Sequence, residues 1–194
     1  MARQAAEDRR EEILRAAREV FREHGFEAAK VSAIADRAGI AKGTVYLYFS
    51  SKQAILEALC GYYRSMMAEV ITPALANPDS RQALKNAVHA ALELAKRERD
   101  LVKLLDLQIG LSKKPAAAAN PAAQKAMVKF FRDCQAKGEA RSYDPQVTME
   151  LVGGFVQWIT RLCLVWGDID LSRYEDTAIS MLSFALFIDR GAGK

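Results

Sequence analysis

The chain has 194 residues, 51% of them hydrophobic, so it can bury one generous core, or a small one beside a medium one, without covalent staples. Its 28 basic residues face 24 acidic ones, and the net charge of +4 with a pI near 9.0 is only a mild lean towards an anionic partner. Cys60, Cys134 and Cys163 lie far apart without a CxxC pair, which argues against a disulfide framework or zinc ribbon, and the longest apolar run, Met149 to Trp166, is broken by Glu150 and Arg161, too polar for a membrane span.

The opening MARQAAEDRREE is charged from the outset, so no secretory leader is expected and the cytoplasm is the expected compartment. Residues 1–7 read as a frayed end, with Arg3, Arg9 and Arg10 as a minor-groove arm the less favoured alternative. From Asp8 to His24 the spacing of Ile13, Leu14, Ala17, Val20 and Phe21 predicts an amphipathic helix that Gly25 closes; His24 suits that helix's C-terminal dipole better than it suits a metal. Val31, Ile34, Ala35 and Ala38 then form one apolar stripe of a short helix, and Gly39 supplies the left-handed residue that stops it. Ile40 and Ala41 leave only a tight turn before a second short helix begins near Lys42. Two short helices around a glycine turn are the helix-turn-helix arrangement, in which the second helix enters the major groove of DNA. On that helix Val45 and Phe49 point inward, whereas Gly43, Thr44, Leu47 and Tyr48 fall on the opposite side with Lys42 and Tyr46 flanking them. Leu47 could meet a thymine methyl; the hydroxyls and the lysine suit phosphates or base edges.

Ser50 and Ser51 can cap the next helix, from Lys52 to a limit set by Pro73, and its N-terminus with Lys52 suits a phosphate. Farther along it, Tyr62, Tyr63, Met66 and Met67 fit either plain core packing or a ligand wall. Asn77 to Ser80 make a turn and cap before a helix from Arg81 to Arg97, on which His89 reads as a packing residue rather than a ligand. Alternating charges make residues 96–100 a solvated corner, followed by a short helix from Leu101 to Leu111, a loop over Ser112 to Pro121, and an amphipathic helix from Ala122 to Lys137. After Asp144 and Pro145 comes a helix apolar on nearly all sides, and Ser172 to Ile188 supply another. Such helices must be buried all round, so their outer faces are expected to meet a second copy in a four-helix interface; the buried centre of a monomer is the alternative. Gln157 and Arg161 fit either a ligand contact or a bridge between subunits.

GIAKGTVYLYFSSKQAIL, preceded by VSAIADRA and VFREHGFEAAKV, closely resembles the DNA-binding region of the TetR family of bacterial one-component repressors, over roughly residues 8–60. The resemblance implies a dimeric repressor with a divergent ligand-binding domain. It places Lys42, Thr44, Leu47 and Tyr48 towards the groove, Ser32 near the phosphates, Tyr46 at the backbone and Lys52 on a phosphate at the start of the following helix. Val31 and Ser32 depart from a more polar pair that some members carry there.

The expected fold is all-α: a three-helix helix-turn-helix domain over residues 1–52 and a larger helical ligand-binding and dimerisation domain over residues 53–194. The expected function is a ligand-responsive regulator, a repressor by the resemblance, that binds a palindromic double-stranded DNA operator as a homodimer with heads roughly 34–36 Å apart. A helical protein-interaction module without DNA contact is the competing reading. No GxSxG, HExxH, GxxxxGK[ST] or GxGxxG motif is present, so no enzyme, metal or cofactor is expected. Tyr62, Met66, Leu104, Leu107, Gln108, Phe131, Phe155 and Trp158 are the candidates for a largely apolar effector pocket, suited to a hydrophobic or aromatic compound.

Overall fold

The computed structural model describes residues 2–111, 121–167 and 169–188. Its elements are α1 (Ala2–Ala28), α2 (Val31–Ala38), α3 (Lys42–Tyr48), α4 (Lys52–Ala74), α5 (Ser80–Arg97), α6 (Arg99–Leu111), α7 (Pro121–Ala136), α8 (Pro145–Thr160) continued by a π-helix (Arg161–Trp166), and α9 (Ser172–Leu186). The expected loop over residues 112–120 lies outside the described residues, and Pro121 already opens α7. Among the described residues the extended structure consists of one isolated antiparallel bridge, Ala140 with Phe187. No helix among them is long and apolar enough to cross a membrane.

Two compact units divide the chain. The first comprises Met1–Tyr63 and Asp100–Gly110; the second comprises Arg64–Arg99 and Leu111–Lys194. The boundary expected after residue 52 therefore moves: Ile55, Leu56 and Leu59 on α4 are wholly buried in the first unit's core, so its first turns belong there.

In the first unit, Ile13, Ala17, Val20 and Phe21 of α1 meet Ile34 of α2 and Val45 of α3 in one core, each 2% exposed or less. Helix α1 starts at Ala2 rather than Asp8, because the alanines at positions 2, 5 and 6 favour the helix; the Arg9–Glu12 pair (2.6 Å) supports the turn that follows. Arg10 lies over the Phe49 ring at 5.1 Å, tying α1 to the end of α3 instead of forming a free arm. Gly25 (φ 74°, ψ 161°) breaks the helical geometry near the end of α1, and Phe26 folds back edge-on to Phe21 at 5.3 Å. Helix α2 ends as the glycine predicts: Gly39 is left-handed (φ 67°, ψ 32°), its N–H donates to Asp36 O, and the Ile40 N–H donates to Ala35 O at 3.0 Å. That geometry turns the chain into α3, whose first turn closes through Thr44 N–H to Ala41 O at 2.9 Å.

In the second unit α5 packs against α8 and α9, and α7 packs against α8. Asp79 caps α5, its Oδ1 accepting from the N–H groups of Arg81 and Gln82 at 2.9 and 3.0 Å. Asp144 does the same for α8 through Val147 N–H at 2.9 Å, with Pro145 in the first turn. Left-handed Gly138 ends α7, and the following residues pair with the end of α9 through Arg141 N–H to Leu186 O and Ile188 N–H to Glu139 O, at 2.9 and 2.8 Å. The α8 run does not bury all its sides. Val152 and Ile159 face the core, while Val147, Leu151 and Trp158 are more than half exposed; on α9 the same holds for Met181 and Phe184.

Candidate nucleic-acid interface

The first unit carries a helix-turn-helix whose second helix divides its side chains sharply. Val45 and Phe49 are buried and anchor α3 to the core, while Leu47 is 83% exposed and Tyr46 47% exposed. Lys42 lies one turn before Tyr46, its ammonium 6.0 Å from the ring centre. Gly43 is exposed, and a Cβ built on it would meet nothing within 4 Å, so the α3 backbone is open to a partner's close approach. Thr44 is half-buried. Tyr48, expected beside Leu47 on the outer face, is instead half-buried against the core, because its place in the last turn of α3 brings the ring over the packed side.

Beside α3 lies an open recess of about 420 Å³ lined by residues 29–32, Lys42, Tyr46 and residues 50–52. Three segments meet there: the start of α2, one side of α3 and the start of α4. The lining holds three lysines and three serines with no acidic side chain. The first N–H groups of a helix have no intrahelical acceptor and favour an anion. At α2, Lys30 occupies the cap position without a side-chain cap bond; at α4, Ser51 Oγ accepts from Ala54 N–H at 3.0 Å. The arrangement suits a phosphate group flanked by hydroxyl donors and lysines. A second groove, lined by Arg9, Glu12, Arg15, Glu19 and Arg37, differs in that it holds its own counter-charges: Arg9 pairs with Glu12, and Arg37 with Glu19 at 2.9 Å.

Lys52 is held by the chain's own backbone. Its ammonium donates to the carbonyls of Phe26, Glu27 and Ala29 at 2.6, 2.8 and 3.2 Å, and it lies 4.6 Å from the centre of the Phe26 ring. A lysine has three N–H donors, and all three have acceptors here.

The residues proposed for an effector pocket are spread between the units. Tyr62, 49% exposed, and Leu104, packed in the core beside Leu101 and Leu105, belong to the first unit. Half-buried Met66 and Phe155, buried Phe131 and 52%-exposed Trp158 belong to the second. The side chains of Leu107 and Gln108 lie outside the described residues. Trp158 meets Trp166 edge-on at 5.1 Å, and the Arg161 guanidinium sits 4.9 Å over the Trp166 ring, so the π-helical turn gathers an aromatic and cationic cluster that periodicity alone did not reveal. Burial pushes the thiols of Cys134 and Cys163 up from their ordinary range, which keeps them neutral and poor nucleophiles. His89 is exposed and pairs with Glu175 through Nδ1 at 2.5 Å, and no group of three or more metal-ligating side chains occurs among the described residues.

This geometry defines a helix-turn-helix protein with a separate, larger helical unit. Residues 13–59 match the family described as "Bacterial regulatory proteins, tetR family". The chain is 33% identical over 101 residues to the uncharacterised HTH-type transcriptional regulator YerO of Bacillus subtilis, covering 50% of this chain and 35% of that one. Similarity to the HTH-type transcriptional activator FasR of Mycolicibacterium smegmatis is 34% over 100 residues, 51% and 46% of the two chains. The HTH-type transcriptional repressor KstR of Mycobacterium tuberculosis aligns over 184 residues at 26% identity, 92% and 82% of the two chains. The aligned region thus spans less than half the length of the first of these relatives. Among solved structures, SmeT, the repressor of the Stenotrophomonas maltophilia multidrug efflux pump SmeDEF, shares the fold with a TM-score of 0.74 at 22% identity, covering 93% of this chain and 91% of that one. Residues 13–59, the helix-turn-helix region, thus carry the tetR-family pattern, and the relatives named here are transcriptional regulators.

Proposed function

We propose that the chain is a ligand-responsive transcriptional repressor that binds a palindromic operator as a homodimer and is released by a small, largely apolar effector. The observation that carries the DNA-binding reading is the cationic recess beside α3, with the exposed face of Gly43, Tyr46 and Leu47 next to it. In this reading Lys30, Ser32, Lys42 and Tyr46 hold phosphates and fix the register, while Leu47 and Thr44 meet base edges. Tyr48 contributes its hydroxyl from the edge of that face.

Dimerisation rests on the two apolar rows that α8 and α9 leave exposed, Val147, Leu151 and Trp158 on one and Met181 and Phe184 on the other. Side chains of this size in water are costly unless another surface covers them, and a two-fold pair of heads is what a palindrome requires. Repression follows the KstR and SmeT likeness, whereas FasR is an activator. An apolar effector is supported by the character of Met66, Phe131 and Phe155, which the second unit holds buried or half-buried. An effector that favours one head spacing would weaken operator binding by a coupling of about 1–3 kcal/mol.

Selection of bound duplexes from a randomised pool, followed by a salt titration of the selected sequence, tests the reading. A two-fold symmetric site whose affinity falls steeply with salt is expected; failure to retain any duplex at low ionic strength overturns it. A regulated promoter assayed with and without the gene then separates repression from activation.

A further inference from the structure

We infer that Lys52 is a positioning residue for duplex binding: it clamps the start of α4 to the link between α1 and α2 and sets the width of the cationic recess, without touching a phosphate itself. The inference rests on the duplex-binding reading above. Its physical origin is the position of a cation at a helix N-terminus. There the unpaired N–H groups and the helix dipole disfavour positive charge, while the carbonyls that end another helix favour it. Lys52 resolves the conflict by turning away from its own helix. Its ammonium reaches the carbonyls of Phe26 and Glu27, in the last turn of α1, and of Ala29, just beyond it. The Phe26 ring covers another side at 4.6 Å.

The consequence lies in what those carbonyls adjoin. Ala29 leads directly into Lys30, Val31 and Ser32, which form one wall of the recess; Ser50 and Ser51, next to Lys52 itself, form another. One ammonium therefore joins two walls of the phosphate cradle across a sequence separation of 23–26 residues. With three donors on three acceptors, a phosphate contact would require it to abandon at least one carbonyl.

The full-length protein and its Lys52→Met and Lys52→Arg variants, titrated with the duplex selected by the wild type over a range of salt concentrations, distinguish a clamp from a phosphate ligand. At a temperature where each variant is fully folded by circular dichroism, Lys52→Met is expected to bind on the order of tenfold more weakly with an unchanged salt slope. A slope reduced by about 0.9, the value for one lost phosphate contact on B-DNA, overturns the inference; so does wild-type affinity, which would make Lys52 a scaffold residue only. Lys52→Arg keeps the charge but replaces a compact ammonium with a planar fork. It is expected to bind as weakly as Lys52→Met, and full rescue overturns the clamp.

If either variant does not fold, the wild type still decides. In a 15N spectrum the Lys52 ammonium signal is expected to be slow to exchange in the free protein and unmoved by the duplex; rapid exchange, or a shift on binding, overturns the inference. A wild type that binds no duplex defeats the DNA-binding reading instead, while the same ammonium signal in the free protein continues to report on the clamp.

Discussion

Arg37 on α2 grips Glu23 on α1 through two parallel hydrogen bonds, Nη2 to Oε2 at 2.7 Å and Nη1 to Oε1 at 3.0 Å, and Nη1 also reaches Glu19 Oε2 at 2.9 Å. A planar guanidinium matches a carboxylate in this way, so the fork fixes the orientation of α2 on α1 as well as their proximity. The hydrogen bond from Arg37, aided by its charge, holds the Glu23 carboxyl below the usual glutamate range despite some desolvation, and the guanidinium is pushed up in turn. A carboxyl with a depressed pKa in the folded state stabilises it fully above the unfolded value and loses that effect as pH falls through the folded one. Arg37→Met should therefore lower the thermal midpoint at neutral pH, with the gap from wild type closing below the ordinary glutamate value of about 4.3. A gap that stays constant down to low pH would assign the effect to packing instead of charge.

Gly39 is argued from its backbone alone. With φ 67° it occupies the left-handed region, and a Cβ there would meet nothing within 4 Å, so no clash adds to the conformational cost. Gly39→Ala should lower unfolding stability in urea by about 1–2 kcal/mol, and Gly39→Asn should lose less, since asparagine tolerates that region better. Equal losses for both would mean that the turn, and not the φ angle, sets the requirement.

The glycine in α3 behaves in the opposite sense. Gly43 has helical backbone and open space around it, so Gly43→Ala should stabilise the fold by up to about 1 kcal/mol through helix propensity. The added methyl stands on the face read as duplex-facing, and affinity for the selected duplex should fall while the thermal midpoint rises. A variant that gains stability and keeps its affinity would move the groove-facing surface away from Gly43.

Much of this architecture was legible in the residues because local rules determined it. The apolar spacing of Ile34 and Ala35, the inward pair Val45 and Phe49, the helix stop Gly39 and the N-caps Asp79 and Asp144 each act within one helix turn of themselves. What was not legible depended on distant partners. Nothing near Lys52 in sequence announces carbonyls 23–26 residues away, and nothing near Arg37 announces that Glu19 and Glu23, 18 and 14 residues before it, hold its guanidinium. Leu104 fits any apolar stripe; only the fold places it in the core of the first unit. Tyr48 shows the same limit in a short helix, where a nominal angle of about 100° per residue does not decide whether a ring at the last position folds inward.

Leu47 offers the cleanest separation of recognition from stability. It is 83% exposed, so Leu47→Ala should leave the unfolding midpoint where it is. If the side chain meets a base, discrimination between the selected duplex and a scrambled one should shrink by on the order of 1 kcal/mol, comparable to one mismatched base pair. The salt slope should not change, because no phosphate contact is lost. Equal weakening on both duplexes would show that Leu47 shapes the surface without reading sequence.

The exposed rows on α8 and α9 lead to the most decisive substitution for the assembly. Leu151 is 69% exposed and Phe184 72% exposed within one chain, so a glutamate at either site is tolerated by the monomer. In a two-fold interface each substitution appears twice. Burying an unpaired carboxylate costs several kcal/mol per ion, in addition to the loss of about 1.5–3 kcal/mol for each apolar side chain no longer covered. At about 1.4 kcal/mol per tenfold, Leu151→Glu or Phe184→Glu should weaken self-association by at least about a hundredfold, which sedimentation velocity reads as a shift from dimer to monomer at micromolar concentration. The separated chains should retain their helical circular dichroism and their weak, salt-sensitive attraction to DNA, because the recess beside α3 is complete within one chain. They should lose preference for two-fold symmetric sites, since that preference depends on two heads held together. Undiminished association in both variants would place the pairing surface elsewhere on the second unit.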